Sequence, residues 1–465
     1  MRSLVWFRGK DLRVSDHGPL AEGAKGELIP LFVLDPRFFA PERARELPHR
    51  MQFLLGSLEE LGARIAGLGS RLVIAEGRSV EVVPRLAALW KVDQVLAHRW
   101  TEPFGRERDR RVAQGLAGRG IPLRLFEGET LLPPGSVRTA QGGMFRVFTP
   151  FARACALRLA PSSPVPAPGS LPPLPSGVGT EGIPIPSLEA LGLAPNPRVQ
   201  SGGEAAAQAR LRAFLAGPLA RYAEERDRMD LEGTSRLSAD LKFGTCSIRQ
   251  AWAAASGSEG AGPFLNELLW REFSHHLLWE WPELLQKPFR ADFQGFPWRK
   301  DEAAWKAWVA GRTGYPVVDA AARQLLAEGF VHNRARMVAA SFLAKHLLLD
   351  FRLGEAHYLK WLTDGDWAQN DAGWQWSAGC GCDAQPWFRI FNPVAQGRRF
   401  DPRGDYVRRW VPELAGLPPD GIHEPWRAPE HQRARLDYPD PVVDHAFARE
   451  RFLAAAKGHL RKESP

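Results

Sequence analysis

DGDWAQNDAGWQWSAGCGCDAQPWFRIFNP, residues 364–393, sets Trp367, Trp374, Trp376 and Trp387 among Asp364, Asp366, Asn370, Asp371 and Asp383. Tryptophan is large and costly to leave in water, so a cluster of it implies a thick core or a flat face on which a planar ring stacks. The polar residues are spaced as well as present. Asp364 and Asp366 suit a helix cap or the hydroxyls of a ligand. Asn370 offers a donor and an acceptor four residues before Trp374. Trp374 and Trp376 flank a single Gln375, so their rings need not share one environment.

Outward from this stretch, 465 residues suffice for two or three domains. Lys+Arg 61 against Asp+Glu 53 gives +8, a lean toward a polyanion such as nucleic acid or simply a basic protein. Cys155, Cys246, Cys380 and Cys382 are too few for a disulfide scaffold and fit a reducing compartment. Cys380 and Cys382 lack a second pair or a near histidine, so they read as structural and no metal is expected. MRSLVWFRGKDLR has no apolar run or cleavage site, and nowhere do about 18 apolar residues follow one another. A cytoplasmic protein without a membrane span is expected.

Up to about residue 130, short apolar runs alternate with amphipathic ones. Leu4–Phe7, Leu28–Leu34, Leu72–Ala75, Gln94–Ala97 and Leu123–Phe126 read as buried strands. Arg50–Leu68, Val80–Trp90 and Gly105–Leu116 have helical spacing. This predicts an α/β domain with a doubly wound, Rossmann-like parallel sheet. It carries no glycine-rich dinucleotide or triphosphate signature. Ligands of such sheets lie beyond the strands' carboxyl ends, here Phe7-Arg8, Asp35-Pro36 and Trp100-Thr101-Glu102-Pro103. Glu102 is a candidate ligand partner or a solvated loop carboxylate. Leu159 to Pro186, with Pro161 among its many prolines, reads as a connector. Beyond it the chain is all-α, with helices expected at 204–216, 218–228, 247–256, 263–279, 301–309, 315–328, 331–349, 354–363 and 442–457. The predicted division is therefore 1–130, a connector over 131–203, and a helical domain over 204–465.

Further polar groupings stand out in the helical half. Gly233-Thr234-Ser235-Arg236-Leu237-Ser238 is a hydroxyl-rich turn, either a phosphate seat or an ordinary cap. Glu267, Trp270, Arg271 and Ser274 share a helix face, as a base-binding pair or as a surface ion pair beside a core indole. Asn333, Arg336 and Met337 share another, and methionine is a soft filler suited to touching a ring.

NDAGWQW followed by DAQPWFRIFNP resembles the cofactor-binding core of the photolyase and cryptochrome family, most closely the bacterial class I cyclobutane pyrimidine dimer photolyases. EGTSRLSADLKFGTCSIR, ELLWREF and TGYPVVDAAARQL match the same family in order, and VFTPFARA matches its entry into the connector. So does WFRGKDLRVSDHGPL, with one extra residue at Gly9-Lys10; Ala322 stands where methionine is more usual. The resemblance implies a light-dependent DNA repair enzyme, a deoxyribodipyrimidine lyase that uses reduced FAD. Its substrate would be ultraviolet-damaged DNA with the dimer flipped out. A monomer without an obligate protein partner or membrane is implied. Residues 1–130 would be the antenna domain, with Glu102 beside a pigment: methenyltetrahydrofolate, a deazaflavin, a second flavin, or none.

The same resemblance assigns FAD to Tyr222, Thr234, Ser235, Arg236, Leu237, Ser238, Arg336, Asp364, Gly365, Asp366 and Asn370. Glu267, Trp270, Asn333, Met337 and Trp376 would line the lesion pocket, with Asn370 facing the flavin. Arg226, Arg271, Arg334 and Gln396 would join Glu267, Trp270, Asn333 and Trp376 as DNA contacts. Trp374 would begin an electron-transfer chain ending at Trp298. Phe351 replaces its middle tryptophan, and Trp361 and Trp367 are candidate detours. A blue-light-signalling cryptochrome is the alternative that Asn370 and the pocket residues argue against. A six-four photolyase would want pocket histidines, for which only His332 is near.

Overall fold

The structure is a computed structural model described over residues 1–159, 163–180 and 182–460. Pro161 lies outside the described residues. The chain forms two compact units, Met1–Ala220 with Ser235–Pro282, and Arg221–Thr234 with Glu283–Pro465.

The first unit is built on five parallel strands, β1 Arg2–Phe7, β2 Glu27–Leu34, β3 Val73–Glu76, β4 Gln94–His98 and β5 Leu123–Phe126, in the order β3-β2-β1-β4-β5. Their central positions are apolar because both faces of the sheet are covered. Val5, Phe7, Phe32 and Leu34 enter one core with Phe53, Leu58 and Ile65 of the helix Pro48–Gly67. Leu4, Trp6, Leu31 and Val33 enter the other with Val83 and Leu86 of Ser79–Leu89 and Val112 and Leu116 of Pro103–Ala117. The sheet's helical partners include a later segment. Buried Glu204, at the start of the helix Glu204–Ala216, accepts from Val14 N at 2.8 Å and Ser15 N at 3.1 Å.

Strand order reverses between β1 and β4, the place where open α/β sheets bind ligands. Here that place is filled. The inserted Lys10 is buried, pairs with Glu102 Oε1 at 2.8 Å and with Glu129, and stands 5.3 Å from the Trp100 ring. Glu129 also accepts the Thr101 N–H at 2.7 Å. Arg8 pairs with Asp109 at 2.6 Å, and Arg108 lies 4.2 Å over Trp100. Glu102 is thus a buried, ion-paired carboxylate, and its reading as a solvated loop residue is corrected.

The second unit is helical and has one large core. The helices Glu302–Ala310, Pro316–Glu328, Asn333–Ser341, Phe351–Trp361, Trp367–Ala378, Pro393–Phe400, Asp405–Trp410 and His445–Leu460 carry it. Two expectations change. The helix foreseen over 218–228 is a 3-10 turn, Pro218–Arg221, and one α turn, Tyr222–Glu225, because 223–228 offers only one small apolar residue to bury. The helix foreseen over 331–349 stops at Ser341 and continues as a π turn, Phe342–His346. Among the described residues, no helix is long and apolar enough to cross a membrane.

Candidate functional site

In the first unit, Glu267 and Trp270 project from the helix Ala261–Glu280, both partly exposed. The Trp270 indole does not stand alone. Phe148, from the helix Phe148–Ala156, stacks on it with ring centroids 3.7 Å apart and planes 8° from parallel. Phe273 meets it edge to face at 6.0 Å. One face of Trp270 is therefore fixed by protein, which sets the plane that the indole offers elsewhere. Sequence reading missed Phe148 because 122 positions separate the two rings, from 148 to 270.

Arg271 is a correction. It is buried, and its guanidinium donates to the Glu129 carbonyl at 2.6 Å, so it ties this helix to the sheet domain and presents no group to DNA. Next to it, Glu272 accepts from Leu131 N at 2.8 Å and Leu132 N at 2.9 Å. Ser235, Arg236, Leu237 and Ser238 form a turn opening the short helix Ser238–Phe243. The Ser235 hydroxyl accepts from Leu237 N at 3.4 Å, and Arg236 holds the left-handed φ of 53°.

In the second unit, Tyr222 is buried and Thr234 partly exposed. Arg226 lies 5.9 Å from the Tyr222 ring. Arg336 is locked by two bonds, Nε to the Val331 carbonyl and NH2 to Asp364 Oδ2, each 2.7 Å. Asp364 is buried, and its second oxygen Oδ1 has no partner in the protein. That is an acceptor kept dry and waiting for a donor. Gly365 is buried, and Asp366 caps the helix Trp367–Ala378 by accepting from Gln369 N at 3.1 Å. Asn333 is exposed, with Nδ2 3.9 Å from Met337 Sδ. Arg334 is held by Asp227 at 2.8 Å and lies 4.4 Å from the Phe400 ring. His332 is buried, and its Nδ1 accepts the Arg334 N–H at 3.2 Å, a helix cap. Trp376 is half-buried; Gln396 has a buried Oε1 without a protein partner.

Asn370 is fixed by Nδ2 donating to the Glu355 carbonyl at 3.1 Å. Beside it sits an acid pair. Burial pushes Glu355 up from about 4.5 to about 7, and burial with the Glu355 charge pushes Asp371 well above the carboxylate range. A carboxyl with a raised folded pKa stabilises most below its unfolded value, and that contribution is lost as pH rises through the folded value. Glu355→Gln is therefore expected to match the parent near pH 4 and to exceed it at pH 8 by about 1–3 kcal/mol. Melting temperature across that range reads this directly. A variant less stable than the parent at pH 8 would show that ionised Glu355 is held favourably.

Trp374 is buried against Tyr358 at 5.2 Å. It lies so close to the helix Phe351–Trp361 that a Cβ on Gly354 would come within 2.1 Å of Trp374 Cη2. Gly→Ala in a helix normally gains about 1 kcal/mol. Here Gly354→Ala is expected to cost about 1–3 kcal/mol by overpacking, with a lowered melting temperature and a changed Trp374 environment in near-ultraviolet circular dichroism. Of the electron-transfer candidates, Trp298 and Phe351 meet edge to face at 6.3 Å. Trp361 reaches His357 at 6.5 Å, and Trp367 is 40 % exposed.

A family model described as DNA photolyase matches residues 3–169, and one described as the FAD binding domain of DNA photolyase matches 264–458. A Thermus thermophilus protein named deoxyribodipyrimidine photo-lyase is 43 % identical over 98 % of this chain and 99 % of its own. A bacterial class III photolyase structure from Agrobacterium tumefaciens is 39 % identical with a TM-score of 0.91, covering 99 % of this chain and 98 % of that one. A Synechocystis cryptochrome structure is 29 % identical with a TM-score of 0.89, covering 98 % and 99 %. The chain belongs to the photolyase and cryptochrome family.

Proposed function

We propose that this protein is a light-driven DNA repair enzyme that splits cyclobutane pyrimidine dimers, a deoxyribodipyrimidine photo-lyase activity. The observation that carries it is the 43 % identity to a relative of that name over 98 % of the chain. The signalling reading rests on a cryptochrome at 29 %. His332, spent as a helix cap, gives the six-four reading no support.

FAD fits the residues present. Asp364 Oδ1 is a buried acceptor without a protein partner, its carboxylate held by Arg336. Tyr222 and the hydroxyls of Thr234, Ser235 and Ser238 would hold the cofactor with Arg236, Leu237, Gly365 and Asp366. Asn370, oriented through Glu355, would present its amide to the ring. Bound and reduced, FAD supplies on excitation the single electron that opens the cyclobutane ring, and takes it back afterwards.

The remaining steps belong to the chain. DNA phosphates dock through its basic excess, with affinity that falls with salt. A dimer is poorly stacked and leaves the duplex at least cost. Trp270, backed by Phe148, gives the flipped bases a rigid face, and Glu267 hydrogen-bonds their polar edges. In the second unit, Trp376, Asn333 and Met337 are the candidate lesion contacts, and Arg226, Arg334 and Gln396 the candidate strand contacts. Arg334 reaches DNA only by exchanging Asp227 for a phosphate. Residues 1–130 serve as the antenna domain, 131–203 as connector and 204–465 as the catalytic domain of a cytoplasmic monomer.

The test is repair of ultraviolet-irradiated oligothymidine by the chemically reduced protein under blue light, followed as recovery of thymine absorbance. Recovery in light and none in the dark is expected. No recovery with flavin bound and reduced would sink the proposal.

A further inference from the structure

Phe351 interrupts the indole series between Trp374 and Trp298, and a phenyl ring is not oxidised at potentials where indole is. A second row of rings leaves Trp374 in another direction. Trp374 meets Trp308 edge to face, with centroids 6.1 Å apart and planes at 69°. Trp308 stacks with Trp305 at 5.6 Å and 19°. The two inner rings are buried and the outer one is not: Trp374 and Trp308 are 4 % and 1 % exposed, and Trp305 is half-buried. Rings in contact pass an electron quickly, and an outer ring that reaches water can end the transfer.

The surroundings favour these indoles over their neighbours. Tyr358 touches both Trp374, at 5.2 Å, and Trp308, at 5.9 Å. Its hydroxyl is buried without a hydrogen-bond partner, so it cannot shed the proton that tyrosine oxidation releases. Trp308 donates its N–H to the Ala339 carbonyl at 3.2 Å, an acceptor that does not take a proton, so an electron deficit there moves on. His357 lies edge-on to Trp305 at 5.8 Å and to Trp308 at 5.7 Å. Burial lowers its pKa to about 4, so at neutral pH it puts no positive charge beside the row.

We propose that light-driven reduction of the flavin draws its electrons along Trp374, Trp308 and Trp305, with Trp305 rather than Trp298 as the exit. The inference rests on the reading that FAD binds beside Trp374. In each turn Trp374 gives one electron to the photoexcited flavin, which is oxidised at the first turn and half-reduced at the second, Trp308 refills Trp374, and Trp305 refills Trp308. Trp305, one electron short, loses its indole N–H proton to water. An external thiol then returns a hydrogen atom to it and ends as disulfide. Two turns, with protons from water, complete the reduction.

The experiment illuminates the oxidised holoprotein anaerobically with dithiothreitol and follows flavin bleaching. Trp305→Phe and Trp308→Phe are expected to slow bleaching by about tenfold, and Trp298→Phe to leave it near the parent rate. Phe351→Trp added to Trp305→Phe should restore bleaching by opening the other route, which a merely structural defect would not permit. After illumination in air, peptide mass spectrometry should find oxidised indole at Trp305 ahead of Trp298. Bleaching in Trp305→Phe no slower than in Trp298→Phe overturns the proposal, as does a parent protein that holds flavin but does not bleach. The flavin placement fails separately, through a parent that retains no FAD or does not repair when chemically reduced.

Discussion

Trp270→Ala is expected to weaken binding of dimer-containing DNA by about 1–3 kcal/mol, the range found when a base loses its aromatic platform. That is on the order of 10–100-fold in Kd. The FAD content should be unchanged, because the rings packed on this indole, Phe148 and Phe273, are not among the residues assigned to FAD. Repair at limiting DNA should fall in proportion, and at saturating DNA part of it should return. Anisotropy titration against an irradiated and an unirradiated oligonucleotide checks this. Equal losses on both would mean that Trp270 supports the fold rather than the lesion. Phe148→Leu gives the finer reading. It keeps apolar bulk but removes the flat ring 3.7 Å behind Trp270, so the discrimination should drop without the loss of general DNA affinity.

Arg336→Ala should be the most damaging single change in the second unit. It removes the partner of a buried carboxylate, a loss of about 3–5 kcal/mol when the other charge stays behind. Because Arg336 is 27 % exposed, the lower end applies. The FAD should be lost as well, since nothing would then hold the Asp364 carboxylate in place. Arg336→Lys should rescue only part, because one ammonium cannot reproduce bonds to both Val331 O and Asp364 Oδ2. Combining Arg336→Met with Asp364→Asn should recover stability but not flavin. Melting temperature and the flavin-to-protein absorbance ratio separate the two effects. Retention of full flavin in Arg336→Ala would remove Arg336 and Asp364 from the cofactor's binding set.

The sheet was legible because a strand buried on both faces must be apolar at every position, and Leu28–Leu34 could be little else. The family was legible as wording, since its motifs sit in short windows. What stayed hidden depends on long-range packing. Arg271 looked like a surface residue because a single helix face was considered, whereas this helix also binds the segment around Glu129 and Leu131. Phe148 read as part of a connector, and nothing local shows that it stacks on Trp270. The π turn at Phe342–His346 interrupts a run without proline or glycine, so no local signal marks it. Nothing local marks Trp305 and Trp308 either: 66 positions separate Trp308 from Trp374, and only the fold brings their rings together.

Lys10 came as a one-residue insertion, yet it functions as one of three. With Glu102 and Glu129 it makes a buried cluster of one ammonium and two carboxylates, drawn from three separate loops. Removing the lysine alone would strand two buried carboxylates, whereas removing one acid would leave a matched pair. A chimera that grafts a relative's opening loop onto this domain without Lys10 is therefore expected to lose stability unless positions 102 and 129 give up their charges in the same step.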